Sequence, residues 1–328
     1  MMDDRMLHEY RREPDPEFAR DLRERLRRSE PARRIPRPLV RALAMACAVG
    51  VVAALFAIPS VRVSAGAMLD LFRVRRFAAV EFNQSRLAAL QAIDKERGFL
   101  ILDHEETLRD PGPPRLVPTA EAAAPEAGFT VSTPSYLPDS LAVDSVLVQG
   151  EGQMRFSVSE EKLRSVLEKL DVKDVTVPRG LDGQWVEVRK PPVVIQRFQS
   201  TNRRAVLLQA RSPEVSVPPG WNVEQLAEVG LRVLGLDPSE AKRIARSTDW
   251  RTTLLVPVPL NVTTFRLVTV RSNSGLMIIT TGDEAAPPPD KPQRKGAMVM
   301  WTQGDRVFCL RGNLSAEDLL QMANSVVP

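Results

Sequence analysis

The sequence predicts an α+β protein, in which an antiparallel sheet with interspersed helices follows one transmembrane helix and a short cytoplasmic amphipathic helix. Two observations lead to this fold class. Residues 42–58, ALAMACAVGVVAALFAI, carry no charge and no strongly polar side chain. From about residue 129 onward, short β-type runs alternate irregularly with helical patterns and turn signals. Short turns between consecutive strands favour antiparallel pairing, because parallel neighbours need long crossover connections.

The neutral segment 42–58 has the length of a membrane span. At 1.5 Å per residue it forms a helix of about 26 Å, and the flanks within 39–60 extend it toward the ~30 Å hydrocarbon core. A buried helix of a soluble protein normally keeps a polar stripe, which this segment lacks. A cleaved signal peptide is the alternative, but the charged stretch before the segment is far longer than an ordinary n-region. The sequence therefore predicts one transmembrane helix over 39–60.

The charges beside the segment predict its orientation. Residues 20–41 contain nine arginines and three acidic residues, and a basic flank stays in the cytoplasm. We therefore expect the N-terminus in the cytoplasm and the residues after the span outside the cytoplasmic membrane. A basic tail beside a bilayer favours anionic lipid as its partner rather than nucleic acid.

The basic tail, residues 1–38, contains one candidate docking element. Asp15 and Pro16 are suited to the N-cap and first position of a helix predicted over 16–28. Phe18, Leu22 and Leu26 recur every four residues and give this helix a narrow apolar stripe. Two interpretations stay open. The helix lies in solvent or on the membrane surface, or it docks on a cytoplasmic partner through these three residues, since a narrow stripe is stable only when covered.

Between the span and the main domain the pattern is less regular. Residues 61–108 are predicted to be a juxtamembrane segment. It contains a short amphipathic helix, a strand and a second helix, over 61–71, 72–82 and 86–97. Residues 109–118 are rich in Pro, Gly and Arg and are predicted to be a linker. The extracytoplasmic α+β domain is then predicted to occupy residues 119–328.

Within residues 119–328, capping residues mark the helices and turn residues separate the strands. The predicted helices cover 119–127, 159–170, 223–234, 237–246 and 315–325. The predicted strands cover 129–132, 141–148, 154–158, 184–189, 193–199, 204–210, 264–270, 276–280, 297–302 and 306–310.

Residues that could carry catalysis are few. The histidines are His8 and His104, no glycine-rich phosphate loop is present, and Cys47 lies in the predicted span, where it should not pair with Cys309. We interpret His104 and its acidic neighbours as solvated surface and Cys309 as a small buried residue. The tryptophans are interpreted as packing anchors, a ligand platform being the alternative: Trp185, Trp221, Trp250 and Trp301. The sequence thus predicts no enzyme, no metal and no cofactor. His104 beside a serine or carboxylate in a cleft would favour an enzyme.

The C-terminal residues 298–328 resemble the end of an uncharacterised family of bacterial extracytoplasmic domains. The resemblance rests on a strand that ends in Trp301, a turn at Gly304, a second strand, and the run GNLSAEDLL at 312–320 that opens a helix. Residues 127–138 resemble the entry to such domains. Members of that family often follow one transmembrane helix and a short basic cytoplasmic segment, and many look like anti-sigma factors or their regulators.

This resemblance implies a single-pass signalling protein. Its outer domain would bind a ligand or an envelope protein, and its tail would meet a cytoplasmic regulatory protein such as a sigma factor. The tail departs from zinc-binding anti-sigma domains, because it has no Cys-x-x-Cys pair and is shorter than their helical segment. The alternative is an envelope module that binds lipid or stabilises membrane partners without signalling. A curved sheet with an apolar cavity would favour that alternative.

Overall fold

The computed structural model describes residues 74–82, 101–138, 141–259, 263–280 and 296–328, and six positions between 85 and 93 (85, 86, 89, 90, 92 and 93). These residues form an α+β protein with mostly antiparallel sheets. The strands are β1 (Arg76–Phe82), β2 (Leu102–Arg109), β3 (Arg115–Val117), β4 (Thr133–Pro134), β5 (Ala142–Gln149), β6 (Gly152–Val158), β7 (Trp185–Lys190), β8 (Val193–Gln199), β9 (Arg204–Arg211), β10 (Glu214–Ser216), β11 (Thr253–Pro259), β12 (Thr263–Val270), β13 (Asn273–Thr280), β14 (Gly296–Gln303), β15 (Arg306–Gly312) and β16 (Val326–Val327). The helices are α1 (Ala120–Ala127), α2 (Glu160–Lys169), α3 (Val223–Val233), α4 (Pro238–Ser247) and α5 (Ala316–Asn324).

The predicted tail helix 16–28 and the predicted span 39–60 lie outside the described residues, as does the predicted helix 61–71. The six described positions between 85 and 93 are helical. Five of them fall in the helix predicted over 86–97, and Leu90 and Ile93 are buried there, on the apolar face that the sequence indicates.

The largest layer is an eight-stranded antiparallel sheet with the order β12-β13-β14-β15-β9-β8-β5-β3. Three of its pairs are hairpins, β8–β9, β12–β13 and β14–β15. They confirm the antiparallel pair that the sequence predicts for 193–199 and 204–210, the strands predicted to be joined across 272–275, and the hairpin predicted over 303–305. Gly304 in the β14–β15 turn has a φ of 64°, a left-handed conformation that costs glycine little because it has no Cβ.

A second sheet has four antiparallel strands in the order β10-β7-β6-β2. Strands β1 and β11 pair in parallel, with Arg76 opposite Thr253, and β1 packs on β13 and β14 of the large sheet. Just before β1, the Val74 N–H donates to Ser212 Oγ at 2.8 Å. The chain therefore enters this unit beside the end of β9.

Side-chain caps begin helices α1 to α5, and the caps of α3, α4 and α5 are ones that the sequence predicts. The N-cap residues accept hydrogen bonds from backbone N–H groups of the first turn: Thr119, Ser159, Asn222, Asp237 and Ser315. Gly128 ends α1 with a φ of 72°. Such caps satisfy backbone donors that have no partner inside the helix.

Three apolar clusters form the interior. The first lies among the four-stranded sheet, helices α2, α3 and α4, and the β1–β11 pair. The second packs α5 on the large sheet, with Leu319 and Met322 against Trp301 and Phe308. The third packs α1 on β5 and β8 and includes Ala123, Val148 and Val194. Strand side chains alternate between the two faces of a sheet. The side chains that the large sheet contributes to the second and third clusters all lie on the same face.

The structure differs from the sequence prediction at several intervals. Strands β2, β10 and β11 are not among the predicted strands, and two predicted intervals have a different structure. Residues 109–118, predicted as a linker, include β3, because Leu116 pairs with Leu147 of β5 and Val117 is buried. Residues 129–132, predicted as a strand, form no ladder. Instead Ser132 donates its N–H to Gln209 Oε1 at 2.9 Å, and its carbonyl accepts from Gln196 and Gln209. These side-chain bonds replace strand pairing.

Candidate functional site: the outer face of the four-stranded sheet

Two rows of side chains cross the outer face of the four-stranded sheet. In the first row, Ser157 of β6 lies opposite both His104 of β2 and Trp185 of β7. In the second row, Arg155 lies opposite both Glu106 and Glu187. Directly opposite residues of antiparallel strands share a face. The sheet therefore brings a tryptophan, an arginine, a histidine and two glutamates together on one surface.

Trp185 is the aromatic centre of this surface. The Arg155 guanidinium carbon lies 4.6 Å from the centroid of the indole, and the His104 ring lies 6.3 Å away at 47°. Glu106 fixes the guanidinium, because Arg155 Nε donates to its Oε2 at 2.7 Å. Trp185 keeps 38% of its surface exposed. A cation over an exposed ring stabilises the surface by about 0.5–1 kcal/mol and leaves the indole edge accessible.

Charged pairs continue the surface toward β10. Glu151 accepts a hydrogen bond from Arg189 at 2.7 Å and lies 3.2 Å from Arg109. The Arg189 bond, followed by the nearby positive charges, lowers the pKa of Glu151, and the same contact raises the pKa of Arg189. Gln153 donates to Glu187 in the next row. This part of the face is a network of ionised, mutually oriented groups.

Strand β2 is the open edge of the same sheet. Seven of its eight residues are exposed, Leu102 alone being half-buried. Its pairing with β6 shifts register between Leu102 and His104 and again between Thr107 and Arg109. An open groove of about 380 Å³ follows the strand between residues 102 and 107. At the start of the strand, Lys162 of α2 donates a hydrogen bond to the Leu102 carbonyl at 2.7 Å.

His104 lies beside both a carboxylate and a serine, but not in the arrangement of a hydrolase. Its Nδ1 is 3.1 Å from Asp103 Oδ2, and its side chain is 70% exposed. Ser157 is 2% exposed, and its hydroxyl accepts the backbone N–H of His104 at 3.2 Å rather than facing the imidazole. A nucleophilic serine needs a base within hydrogen-bond reach of its own hydroxyl and access to substrate. This cluster supplies neither.

Other candidate groups behave as packing residues. Cys309 lies in β15, where burial raises the pKa of its thiol to about 11, so the neutral thiol dominates at ordinary pH. Trp221, Trp250 and Trp301 are buried at 6%, 4% and 1% exposure. Within the described residues, no three His, Cys, Asp or Glu side chains are grouped so that they could hold a metal ion.

A second unusual surface is a row of apolar side chains on the other face of the large sheet from α1 and α5. The register places one residue from each of five neighbouring strands side by side. We call them the apolar row: Leu116, Leu147, Ile195, Leu208 and Cys309. Leu116 is 67% exposed and the other four are half-buried. The described residues thus leave an apolar strip about five strands wide partly open to solvent.

A further groove of about 400 Å³ lies where the chain enters β1, and polar groups such as Arg75, Asn273 and Asp305 contribute to its lining. It is not the apolar cavity that would favour the lipid-binding alternative.

Sequence reasoning gave Trp185 and His104 only minor roles and missed Arg155 and Glu106. A sharper signal lies in Met154-Arg155-Phe156, where a charge between apolar residues indicates an outward position on a half-buried strand. The predicted docking residues Phe18, Leu22 and Leu26 lie outside the described residues.

Comparison with models of protein families, with curated proteins and with solved structures finds no match to this chain. Among the residues that the structure describes, no helix is long and apolar enough to cross a membrane.

Proposed function

We propose that the chain is a single-pass membrane protein whose α+β domain, outside the cytoplasmic membrane, binds a protein partner through the Trp185 surface. This surface comprises Trp185, Arg155, Glu106, His104 and the edge strand β2. The observation that carries the proposal is the half-exposed Trp185, held by Arg155 and placed beside an open strand edge. The neutral segment 42–58 and its basic flank support the membrane span.

The chemistry of the surface suits a protein partner. Tryptophan and arginine dominate the binding energy of many protein interfaces, and an open strand edge offers backbone N–H and C=O groups to an extended segment of a partner. The acidic residues of β2, Asp103, Glu105 and Glu106, favour a segment with basic side chains. In this proposal the tail, with Phe18, Leu22 and Leu26, passes the signal to a cytoplasmic regulator in the manner of an anti-sigma factor.

Site-specific cross-linking tests the binding surface. A photoreactive residue replaces Thr107 on β2 in the full chain, in cells that make the protein naturally, and the expected result is one discrete cross-linked partner. Trp185→Ala should reduce that adduct at least about tenfold, since losing a central tryptophan commonly costs 2 kcal/mol or more. Tyr136→Ala, at a similarly exposed aromatic residue (36%) far from β2 in sequence, is the matched control. Equal adducts from Trp185→Ala and the unchanged protein would contradict the proposal.

Fractionation and a topology reporter test the membrane part separately. The full chain should stay with membranes after alkaline carbonate washing, and a reporter at Pro328 should be active only outside the cytoplasm. Replacing Phe18, Leu22 and Leu26 together by Asp should remove a cytoplasmic partner from pull-downs while leaving the Thr107 adduct unchanged. Full recovery of the chain in the soluble fraction would refute the membrane placement.

The apolar row supports a second candidate function, an envelope module that rests on lipid. Its leucines and isoleucine offer an apolar strip, and the arginines of the next row, Arg197 and Arg311, are exposed beside it. Apolar side chains edged by arginine suit the surface of an anionic bilayer.

Lipid-borne quenchers test this second candidate. In full chain reconstituted in bilayers, with Cys47 and Cys309 changed to Ser, a fluorophore is attached at Ile195→Cys and quenched by brominated lipid. A fluorophore at Glu214→Cys, on the other sheet, is the control. Quenching at 195 and not at 214 is expected, and equal quenching at both sites would count against lipid contact by the apolar row.

A further inference from the structure

One edge of the large sheet, strand β12, has few of the features that normally guard an exposed edge. Its pairing with β13 runs without a register shift from Thr263–Thr280 to Val270–Asn273. It contains no proline and one charged residue, Arg266. Leu267 is 71% exposed and Phe265 is 37% exposed. Proteins usually blunt such edges with charge, proline, bulges or short length.

The backbone of β12 is oriented to accept another strand. Residues 271 and 272 form a two-residue turn, and in such hairpins the flanking pair, here Val270 and Asn273, is hydrogen-bonded and the pairs then alternate. Phe265, Leu267 and Thr269 therefore direct their N–H and C=O groups away from β13. Among the described residues, no hydrogen bond reaches these outward groups.

We propose that β12 pairs antiparallel with β12 of a second copy of this chain, which joins the two large sheets edge to edge around a two-fold axis at Leu267. In this register Leu267 lies opposite its own copy, and Phe265 lies opposite Thr269. The outward backbone groups of all three positions then form the hydrogen-bonded pairs of an antiparallel ladder. Two-fold pairing of identical patches is the commonest form of protein association.

Charge repulsion favours the register with its axis at Leu267 over the adjacent register with its axis at Arg266. Shifting the axis to Arg266 would place two arginines directly opposite each other, and like charges in that position are destabilising. With the axis at Leu267, Arg266 faces Val268 of the copy. The exposed side chains of Phe265 and Leu267 lie on the face shared with Ile278 and Leu276. The dimer would therefore cover four apolar side chains in total, the exposed Phe265 and Leu267 of each copy.

Disulfide trapping tests the register directly. In the full chain with Cys47→Ser and Cys309→Ser, Leu267→Cys should form a covalent dimer under mild oxidation, because opposite Cα atoms of a ladder lie about 5.5 Å apart. Phe265→Cys is the matched control. Position 265 lies opposite position 269 of the second copy, so the two 265 positions are about 14 Å apart, beyond the reach of a disulfide. Equal trapping at 265 and 267, or none at 267, would overturn the proposed pairing.

The mass of the full chain, measured in detergent solution, provides a second test that needs no cysteine. Sedimentation should give a dimer for the unchanged protein and a monomer for Leu267→Lys. Val143→Lys, at another exposed apolar residue (58%) on β5, should remain dimeric. A monomeric unchanged protein, as expected if another segment of the same chain covers β12, would refute the proposal. A dimer that survives Leu267→Lys would also refute it. Neither test depends on the proposed membrane location.

Discussion

At the scale of single residues, two glutamine side chains make the hydrogen bonds to the backbone of Ser132 that strand pairing would otherwise make. Gln196 and Gln209 lie on the buried face of the large sheet, each 1% exposed. Gln209 both donates to and accepts from Ser132, whereas Gln196 only donates to its carbonyl. Arg306 adds a hydrogen bond at 3.0 Å to the Ser132 hydroxyl. A short polar network thus fixes the chain between α1 and β4 to the sheet.

Gln209→Leu should destabilise the protein more than Gln196→Leu. The first change leaves the buried N–H of Ser132 without its acceptor, and a buried unsatisfied group costs about 1–3 kcal/mol. After the second change, the Ser132 carbonyl still accepts from Gln209. Urea unfolding followed by tryptophan fluorescence measures the difference, and equal midpoints for the two variants would show that Ser132 is satisfied in another way.

Cys309 should react slowly until the pH approaches 11. Burial raises the pKa of its thiol from 9.0 to about 11, which lowers the thiolate fraction about 100-fold at pH 8. Unfolding restores the ordinary pKa, so the unfolded chain ionises first and stability should fall as the pH rises from about 9 to about 11. The rate of alkylation by iodoacetamide in Cys47→Ser protein checks this. A folded-state rate that already levels off near pH 9 would contradict it.

At the scale of elements, Gly275 shows why the centre of the large sheet is sensitive to a single methyl group. It lies opposite Trp301, which stacks on Phe308 with ring centroids 5.0 Å apart. A Cβ at Gly275 would meet the Met300 carbonyl oxygen at 2.8 Å and the Trp301 Cβ at 3.3 Å. The strand therefore needs glycine for close approach rather than for a special φ.

Gly275→Ala should destabilise the protein by about 1–3 kcal/mol, as overpacking of a well-filled core does. Gly296→Ala is the control in β14, because its Cβ would meet only the Gly312 carbonyl oxygen, at 3.3 Å. Thermal unfolding of both variants gives the comparison. If Gly275→Ala unfolds at the temperature of the unchanged protein, the backbone at Met300 shifts easily and the argument from close approach fails.

The sequence predicts elements well where local signals and tertiary contacts agree. Capped helices and the three hairpins are of this kind, because their caps and turns are local. The charges of β2 do not indicate a strand in the sequence. The strand is held on β6 by side chains as well as by backbone pairing, because Arg155 donates to Glu106 and Ser157 accepts the N–H of His104. Strand β11 contains Pro257 and Pro259, which indicate a break, but its single partner among the described strands is β1. An edge position tolerates prolines.

The candidate site was less predictable than the fold. The sequence does not distinguish the four tryptophans. The structure does, because three of them are buried and Trp185 is exposed. Its contact with Arg155 depends on the register between β6 and β7, 28 residues apart at their paired positions Ser157 and Trp185. Pairing of that kind is set by the whole sheet rather than by local pattern.

At the scale of the whole molecule, residues before 119 belong to the same interior as those after it. Phe77, Val80 and Phe82 of β1 are buried, and Phe77 and Val80 join the first apolar cluster. A chain that begins at residue 119 would leave β6 and β11 without their partners β2 and β1.

A fragment 119–328 should therefore aggregate or be degraded, whereas 74–328 should unfold cooperatively. Gel filtration and thermal unfolding of the two fragments test this expectation. Equal behaviour of the two would mean that residues 74–118 contribute little to folding.

The parallel pairing of β1 with β11 also governs how the chain can fold while it is being made. Strand β1 cannot pair until β11 has been synthesised, about 180 residues later. At the usual rate of elongation this delay is roughly 10–35 s. Contacts so distant along the chain slow folding, and in the interval unpaired strands are prone to aggregation. Biogenesis of this protein is therefore expected to depend on a chaperone that holds the nascent chain until its last third has emerged.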